Sequence, residues 1–289
     1  MTKKIIGIIK SAARIFSTSR GDKDDIERIA YELCEDQSNC GIIYFEARYS
    51  PHLLCSTVKN HVNSDHVGDA LTPQGVVEAV KRGLDRGEAE FGVKARSILC
   101  CIRGYADWNK EVLELATTIK EYGVVGINVT VVLMAPMRNT NPATVHAGES
   151  GGAKEICIAI ESMKAERIGH GYRLLRDEDA YKKHALEERI HLEGCPYSSV
   201  MTGSVPLDWP AHPIKRWAED GVNFSLSTDY PTCFDNSVIS ELHLAKKLIG
   251  LSTHQLWLCQ VNAARNCFLE ENEKNLLVEK ILAAEPPAL

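Results

Sequence analysis

The residues best equipped for chemistry lie in the stretch Thr144-Val145-His146-Ala147-Gly148-Glu149, which continues through Ser150 into Gly151-Gly152. It sets an imidazole and a carboxyl three residues apart, where a short apolar run breaks into glycines. An imidazole can bind a metal or carry a proton at neutral pH, and a carboxyl can give or take one. Two more apolar runs end in the same way. Residues 167–168 lead to Gly169-His170-Gly171, and residues 222–226 lead to Ser227-Thr228-Asp229-Tyr230. Singly, a histidine between glycines can be a turn residue, and an aspartate before Tyr-Pro can form an Asx turn. Repetition at the ends of successive runs points instead to one shared site. His146, His170 and Asp229 offer two imidazoles and a carboxylate, donors that suit a Zn2+ ion.

Such groups need strands that end together. Residues 24–36 carry Ile26, Ile29, Ala30 and Leu33 at helical spacing, and residues 42–48 read as a strand that ends before Pro51. Thr72-Pro73 opens a helix, with Thr as N-cap and Pro at the first helical position. A strand over 95–103, a helix over 112–122 stopped by Gly123, and a strand over 124–129 follow. Residues 143–146, 167–168, 190–194 and 222–226 read as strands. Residues 154–165, 177–188, 213–220 and 237–249 read as helices, and Ser252 with Gln255 makes a capping box for a last helix through Ala264. Seven strand-like runs alternating with helices predict an α/β fold of the TIM-type (β/α)8 barrel. Active groups in that fold sit at the C-terminal ends of the strands.

A barrel of this type closes with eight strands, so the sequence is at least one short and leaves two sheet edges open. From Ile127 to Asn141 the pattern fails, because the β-branched run 129–132 continues through Leu133 to Pro136 with no helix after it, which leaves a short crossover before the strand at 143. At least one strand and one crossover helix are the elements expected to be missing. No Gly-x-Gly-x-x-Gly follows a strand, which disfavours a doubly wound dinucleotide-binding sheet.

The 289 residues, 44% hydrophobic and 25% charged, suit a single barrel domain over 24–289. Residues 1–23 read as an irregular N-terminus. Its first 20 residues hold five basic side chains and no acidic one, which gives it a presequence-like character, with a mitochondrial address as the alternative. The net charge of −6 gives no reason to bind nucleic acid, and no run nears the roughly 20 apolar residues of a membrane span. Ten cysteines in largely apolar settings, with no Cys-x-x-Cys pair, indicate a reducing compartment and a cytoplasmic protein. No protein partner is indicated.

Several motifs, in order along the chain, resemble those of the adenosine deaminase family. They are Ile26 to Leu33, Glu46 to Leu54, Phe91 to Cys101, Thr144 to Glu149, Arg167 to Tyr172, Cys195 to Gly203 and Ser225 to Asp229. The resemblance runs from about residue 24 to 269. It implies a zinc (β/α)8 barrel that hydrolyses adenosine and 2′-deoxyadenosine to inosine and 2′-deoxyinosine plus ammonia. It also implies one Zn2+ per chain and a purine nucleoside as the small-molecule partner. Carried over by motif, His146 and Asp229 become zinc ligands, and His170 orients the attacking water. Glu149 protonates purine N1, while Gly148 and Tyr230 become substrate-binding residues.

The sequence departs from the family in three places. The family's first strand supplies two zinc ligands from a His-x-His pair, and none of the ten histidines here forms one. His61 and His66 are spaced too widely to imitate it. Asn128-Val129-Thr130-Val131 stands where the family has Leu-Ala-Gly-Asp-Glu. Finally, Asp229-Tyr230 replaces two consecutive aspartates, which makes the Tyr230 hydroxyl a substitute donor to purine N7. Catalytic zinc normally takes three or more protein ligands, so two imply weak zinc binding and slow turnover. An alternative start with a skipped exon, or an incomplete gene model, would yield such a chain. A catalytically inactive, binding-only member is the other reading, and the intact Glu149, His170 and Asp229 favour the enzyme. His191-Leu192-Glu193 imitates the His-x-Glu of cytidine-type zinc deaminases, but no Pro-Cys-x-x-Cys follows.

Overall fold

The computed structural model describes residues 20–57, 70–130 and 141–286. Expectations for residues 1–19, for His61 and His66, and for the missing crossover helix at 131–140 lie outside the described residues. The described residues divide into two compact units, one of residues 20–57, 70–128 and 141, the other of residues 129–130 and 142–286.

The first unit opens with α1 (Lys23–Asn39), capped by Asp22, whose side chain accepts from the Asp24 and Asp25 amides. Then come β1 (Tyr44–Tyr49), the short α2 (Pro51–Leu54) and α3 (Pro73–Phe91). Thr72 caps α3 as its sequence indicates, accepting from the Gly75 amide at 3.1 Å, and Gly92 ends the helix in the left-handed region. β2 (Lys94–Cys100) and α4 (Ala106–Thr118) follow, and β3 (Val124–Thr130) ends the unit at residue 128, its last two residues belonging to the second. The strand expected to reach residue 103 stops at Cys100, and α4 starts six residues earlier than its apolar pattern suggests. Asn109 explains both: its side chain closes on the Ile102 backbone, accepting from the amide at 2.7 Å and donating to the carbonyl at 2.9 Å. The three strands pair in parallel in chain order, with Phe45 beside Ala95 and Leu99 beside Ile127.

The second unit carries β4 (Ala143–Ala147), α5 (Ala153–Glu161), β5 (Arg167–His170) and α6 (Glu178–Tyr181), the last running on through a π turn over Lys182–Glu187. β6 (His191–Gly194), α7 (Pro196–Met201), α8 (Pro213–Glu219), β7 (Phe224–Leu226) and α9 (Pro231–Phe234) follow. The unit ends in α10 (Val238–Leu244), α11 (Thr253–Arg265) and α12 (Glu271–Leu282). The Ser252–Gln255 capping box forms as its residues require. Neither α7 nor α12 is expected from periodicity. α7 is too short to show a period, and Leu277 is the buried residue of α12. β4 to β7 are parallel and in chain order. Val145, Ile168 and Leu192 are fully buried, as strands covered on both faces require.

Among the described residues, then, seven strands alternate with helices, three of them parallel in the first unit and four in the second. This is the repeat of a TIM-type (β/α)8 barrel with one strand fewer than eight. No helix of the described residues is long and apolar enough to cross a membrane.

The α1–α3 contact is glycine-dependent. A Cβ on Gly83 would lie 2.2 Å from the Glu27 carbonyl oxygen, and one on Gly87 would lie 2.3 Å from Cys34 Cβ. Helix propensity alone would favour Ala at these sites by roughly 0.5–1 kcal/mol. Overpacking against backbone costs about 1–3 kcal/mol, so the clash outweighs the propensity gain. Urea unfolding of Gly83→Ala is therefore expected to show a net loss of stability; a variant at or above the parent would mean that the helices do not pack this closely.

Candidate metal and deaminase site

The site lies in the second unit, at the C-terminal ends of β4, β5 and β7. In the parallel β4–β5 pair His146 stands beside Gly169, and Ala147 beside His170. The His146 ring fills the space above Gly169, where a Cβ would approach its Cδ2 to 3.1 Å. The chain then turns at Gly148, with φ +74, where a Cβ would also meet the Ile156 side chain at 2.4 Å. Only glycine suits both the dihedral and the space. Two non-glycine residues of the site share this left-handed backbone, His170 at φ 68 and Asp229 at φ 61. Histidine and aspartate are among the side chains that tolerate it, and such residues gather at functional sites.

These turns bring together three side chains far apart in sequence. The ligand atoms of His146, His170 and Asp229 all lie within 4.8 Å of one another. The two imidazole rings are 5.1 Å apart, centre to centre. His170 is buried, and its Nε2 lies 3.5 Å from Glu149 Oε2. Its Nδ1 is also buried and has no hydrogen-bond partner among the described residues. Glu149 is held from its other side by Thr202, whose hydroxyl lies 3.2 Å from Oε1. Tyr230 follows Asp229 directly and opens α9.

Sequence reading missed the residues that hold Asp229 in place. Ser198, at the start of α7, donates to Asp229 Oδ2 at 2.6 Å. Its neighbour Ser199 donates to the Pro196 carbonyl and lies 3.1 Å from His212 Nε2. His212 Nδ1 accepts from the Ile214 amide as the N-cap of α8, which leaves the proton on Nε2 to face Ser199. Glu241 on α10 is also buried. It accepts from the Tyr197 amide at 3.1 Å and from Asn236 at 2.6 Å, and Asn236 also donates to the Thr228 carbonyl. Burial pushes the Glu241 carboxyl up from its ordinary range, and these hydrogen bonds oppose that rise. Glu241 and Asn236 thus join α7 to the loop that presents Asp229. The Cys-Pro-Tyr-Ser-Ser segment was the available sequence signal; Glu241 had none.

Glu193, the carboxyl of the His-x-Glu imitation, has a structural task. It pairs with Arg167 at 2.9 Å while both are buried, accepts from Thr144 at 3.1 Å, and so ties β4, β5 and β6 together. The Arg167 guanidinium lies 3.7 Å over the Phe268 ring.

The adenosine deaminase family model matches residues 16–284. The chain belongs to the adenosine deaminase family. The adenosine deaminase of Danio rerio is 38% identical over 278 residues, covering 91% of this chain and 77% of that protein. Among solved structures, adenine deaminase from Arthrobacter aurescens superposes with a TM-score of 0.79 at 21% identity, covering 96% of this chain and 84% of that one. An amidohydrolase from Burkhoderia ambifaria, solved with bound Zn, gives 0.72 at 19% identity, over 92% and 76% of the two chains. Both structural likenesses support the barrel-type fold. As a member of the adenosine deaminase family, the chain is by family a hydrolytic deaminase.

The α7 loop carries a pH-dependent element in His212. Burial lowers its pKa from 6.5 to about 4, and protonating Nδ1 would remove the acceptor for the Ile214 amide. A depressed histidine contributes stability that is present above its unfolded pKa and lost as pH falls from 6.5 towards 4. The shift corresponds to roughly 3 kcal/mol. Between pH 7 and 4.5 the parent is expected to lose more stability in urea than His212→Asn, which keeps a capping side chain. Parallel losses would remove His212 as the cause.

Proposed function

We propose that this chain hydrolytically deaminates adenosine and 2′-deoxyadenosine, giving inosine or 2′-deoxyinosine and ammonia. The observation that carries this reading is the convergence of His146, His170 and Asp229 within 4.8 Å, with Glu149 against His170. The donor set fits zinc: two imidazoles and a carboxylate converge, and a buried imidazole nitrogen there lacks a protein partner. On the family pattern His146 and Asp229 would hold the ion. A zinc ion bound there would lower the pKa of a water molecule towards 7.

The remaining work falls to side chains. Ser198 fixes Asp229, and His170 orients the attacking water. Glu149 delivers a proton to purine N1 as the water oxygen bonds to C6 and the N1–C6 π pair moves onto N1, while His170 takes the proton that the water gives up and returns it to the adjacent Glu149 carboxylate. The C6–N6 bond then breaks, the amine leaves as ammonia with a proton from the added hydroxyl, and the C6 carbonyl remains. Thr202 holds the Glu149 carboxyl towards its task. Gly148 and Tyr230 bind the purine, with the Tyr230 hydroxyl donating to N7. The ten free thiols support a reducing, cytoplasmic location.

Steady-state conversion of adenosine by the full chain, with zinc supplied, tests the reading. Turnover is expected to be measurable but slower than that of the Danio rerio relative. Glu149→Gln should lower kcat by about 10^2–10^4-fold, the usual worth of a general acid. Absence of any zinc-stimulated turnover would leave the chain a non-catalytic binder. For Tyr230→Phe, losing one hydrogen bond should reduce kcat/KM by roughly 2–10-fold. An unchanged kcat/KM would remove Tyr230 from the purine site.

A further inference from the structure

The family pattern gives this sequence two zinc ligands and sets His170 beside the metal. A catalytic zinc ion normally takes three protein ligands and keeps one position open. No His-x-His pair occurs in these 289 residues to raise the number. We propose that His170 is itself a metal ligand, so that His146, His170 and Asp229 form a two-imidazole, one-carboxylate site for a single zinc-class ion. The proposal rests on the metal-dependent reading above and changes the role of one residue in it.

Three features carry it. The three ligand atoms are mutually within 4.8 Å, and ligands on a tetrahedral zinc at 2.0–2.1 Å lie about 3.3 Å apart. Each pair therefore has to draw in by at most about 1.5 Å, the difference between those two distances. Next, His170 is 2% exposed, with a buried Nδ1 that has no hydrogen-bond partner among the described residues and a carboxylate, Glu149, 3.5 Å from Nε2. A ligating histidine usually presents one nitrogen to the metal and the other to a carboxylate or carbonyl. Finally, the Ser198 hydroxyl already holds Asp229 Oδ2 at 2.6 Å, the outer-shell bond that fixes a ligating carboxylate. A coordinated His170 could no longer serve the attacking water freely. Metal retention and fast turnover are thereby separated in this chain.

The test uses the full chain, freed of metal and carrying 15N in its histidine rings, titrated with Zn2+ and separately with Co2+. Two imidazole nitrogens should take metal-bound shifts at one equivalent of Zn2+, and one Co2+ should bind with visible d–d absorption. His170→Asn, chosen because asparagine tolerates a left-handed backbone, should lose one of the two shifts. It should also weaken Co2+ binding by more than the roughly 10–100-fold that loss of an outer-shell partner costs. A single shifted nitrogen, or two that persist in His170→Asn, overturns the proposal while leaving the metal-dependent reading intact. No uptake of either ion overturns both. Circular dichroism of the variant establishes that it is folded, and the count of shifted nitrogens in the parent chain stands without it.

Discussion

Partners in a parallel ladder point to the same face of a sheet, and successive residues alternate between faces. His146 is paired with Gly169, whereas His170 is paired with Ala147, the residue after His146. A regular pleat would therefore send the two imidazoles to opposite faces. Left-handed backbone at His170 breaks the alternation at the strand's last residue, and the rings end 5.1 Å apart. The same device recurs at Asp229, beyond the end of β7. Everything the site can do depends on these two unfavourable dihedrals being held. The glycines nearby relieve crowding: Gly169 lies beneath the His146 ring, and Gly148 gives way to Ile156.

What holds them is a set of buried polar contacts with their hydrogen-bonding needs largely met. The Cys195 amide donates to the Tyr172 hydroxyl at 2.6 Å, and the Tyr172 ring stacks on Trp217 at 5.3 Å. His212 links α8 to Ser199, and Glu241 links α10 to Tyr197. Buried polar groups without partners would cost about 1–3 kcal/mol each. Satisfied, they fix the short α7 helix from several directions, and Ser198 can then hold Asp229. Neutral His212 also limits the amount of charge buried behind the site.

Below the site, Arg167 and Glu193 occupy interior positions that a hydrophobic pair could fill. Breaking such a pair by removing one partner strands a buried charge, at about 3–5 kcal/mol. Glu193 also accepts from Thr144, so the pair spans three strands. This leaves the neighbouring histidine to structure as well: His191 lies at 2.9 Å from Ser225 and 3.0 Å from Asn223. A local His-x-Glu spacing thus imitated a catalytic motif whose residues are committed to strand registration.

The sequence determined what depends on near neighbours. Thr72-Pro73, Gly92, Gly123 and the Ser252–Gln255 box mark helix ends through local dihedrals and hydrogen bonds, and all four act as their types require. Strand ends carrying His146, His170 and Asp229 were legible because apolar runs stop at glycine, serine or threonine. Tertiary structure decided the rest. Whether His170 faces His146 depends on one φ angle, which a residue between two glycines does not disclose. Glu241 meets Tyr197 across 44 residues and Ser198 meets Asp229 across 31. No periodicity encodes such pairings, because they exist only once parallel strands have brought their C-terminal ends together.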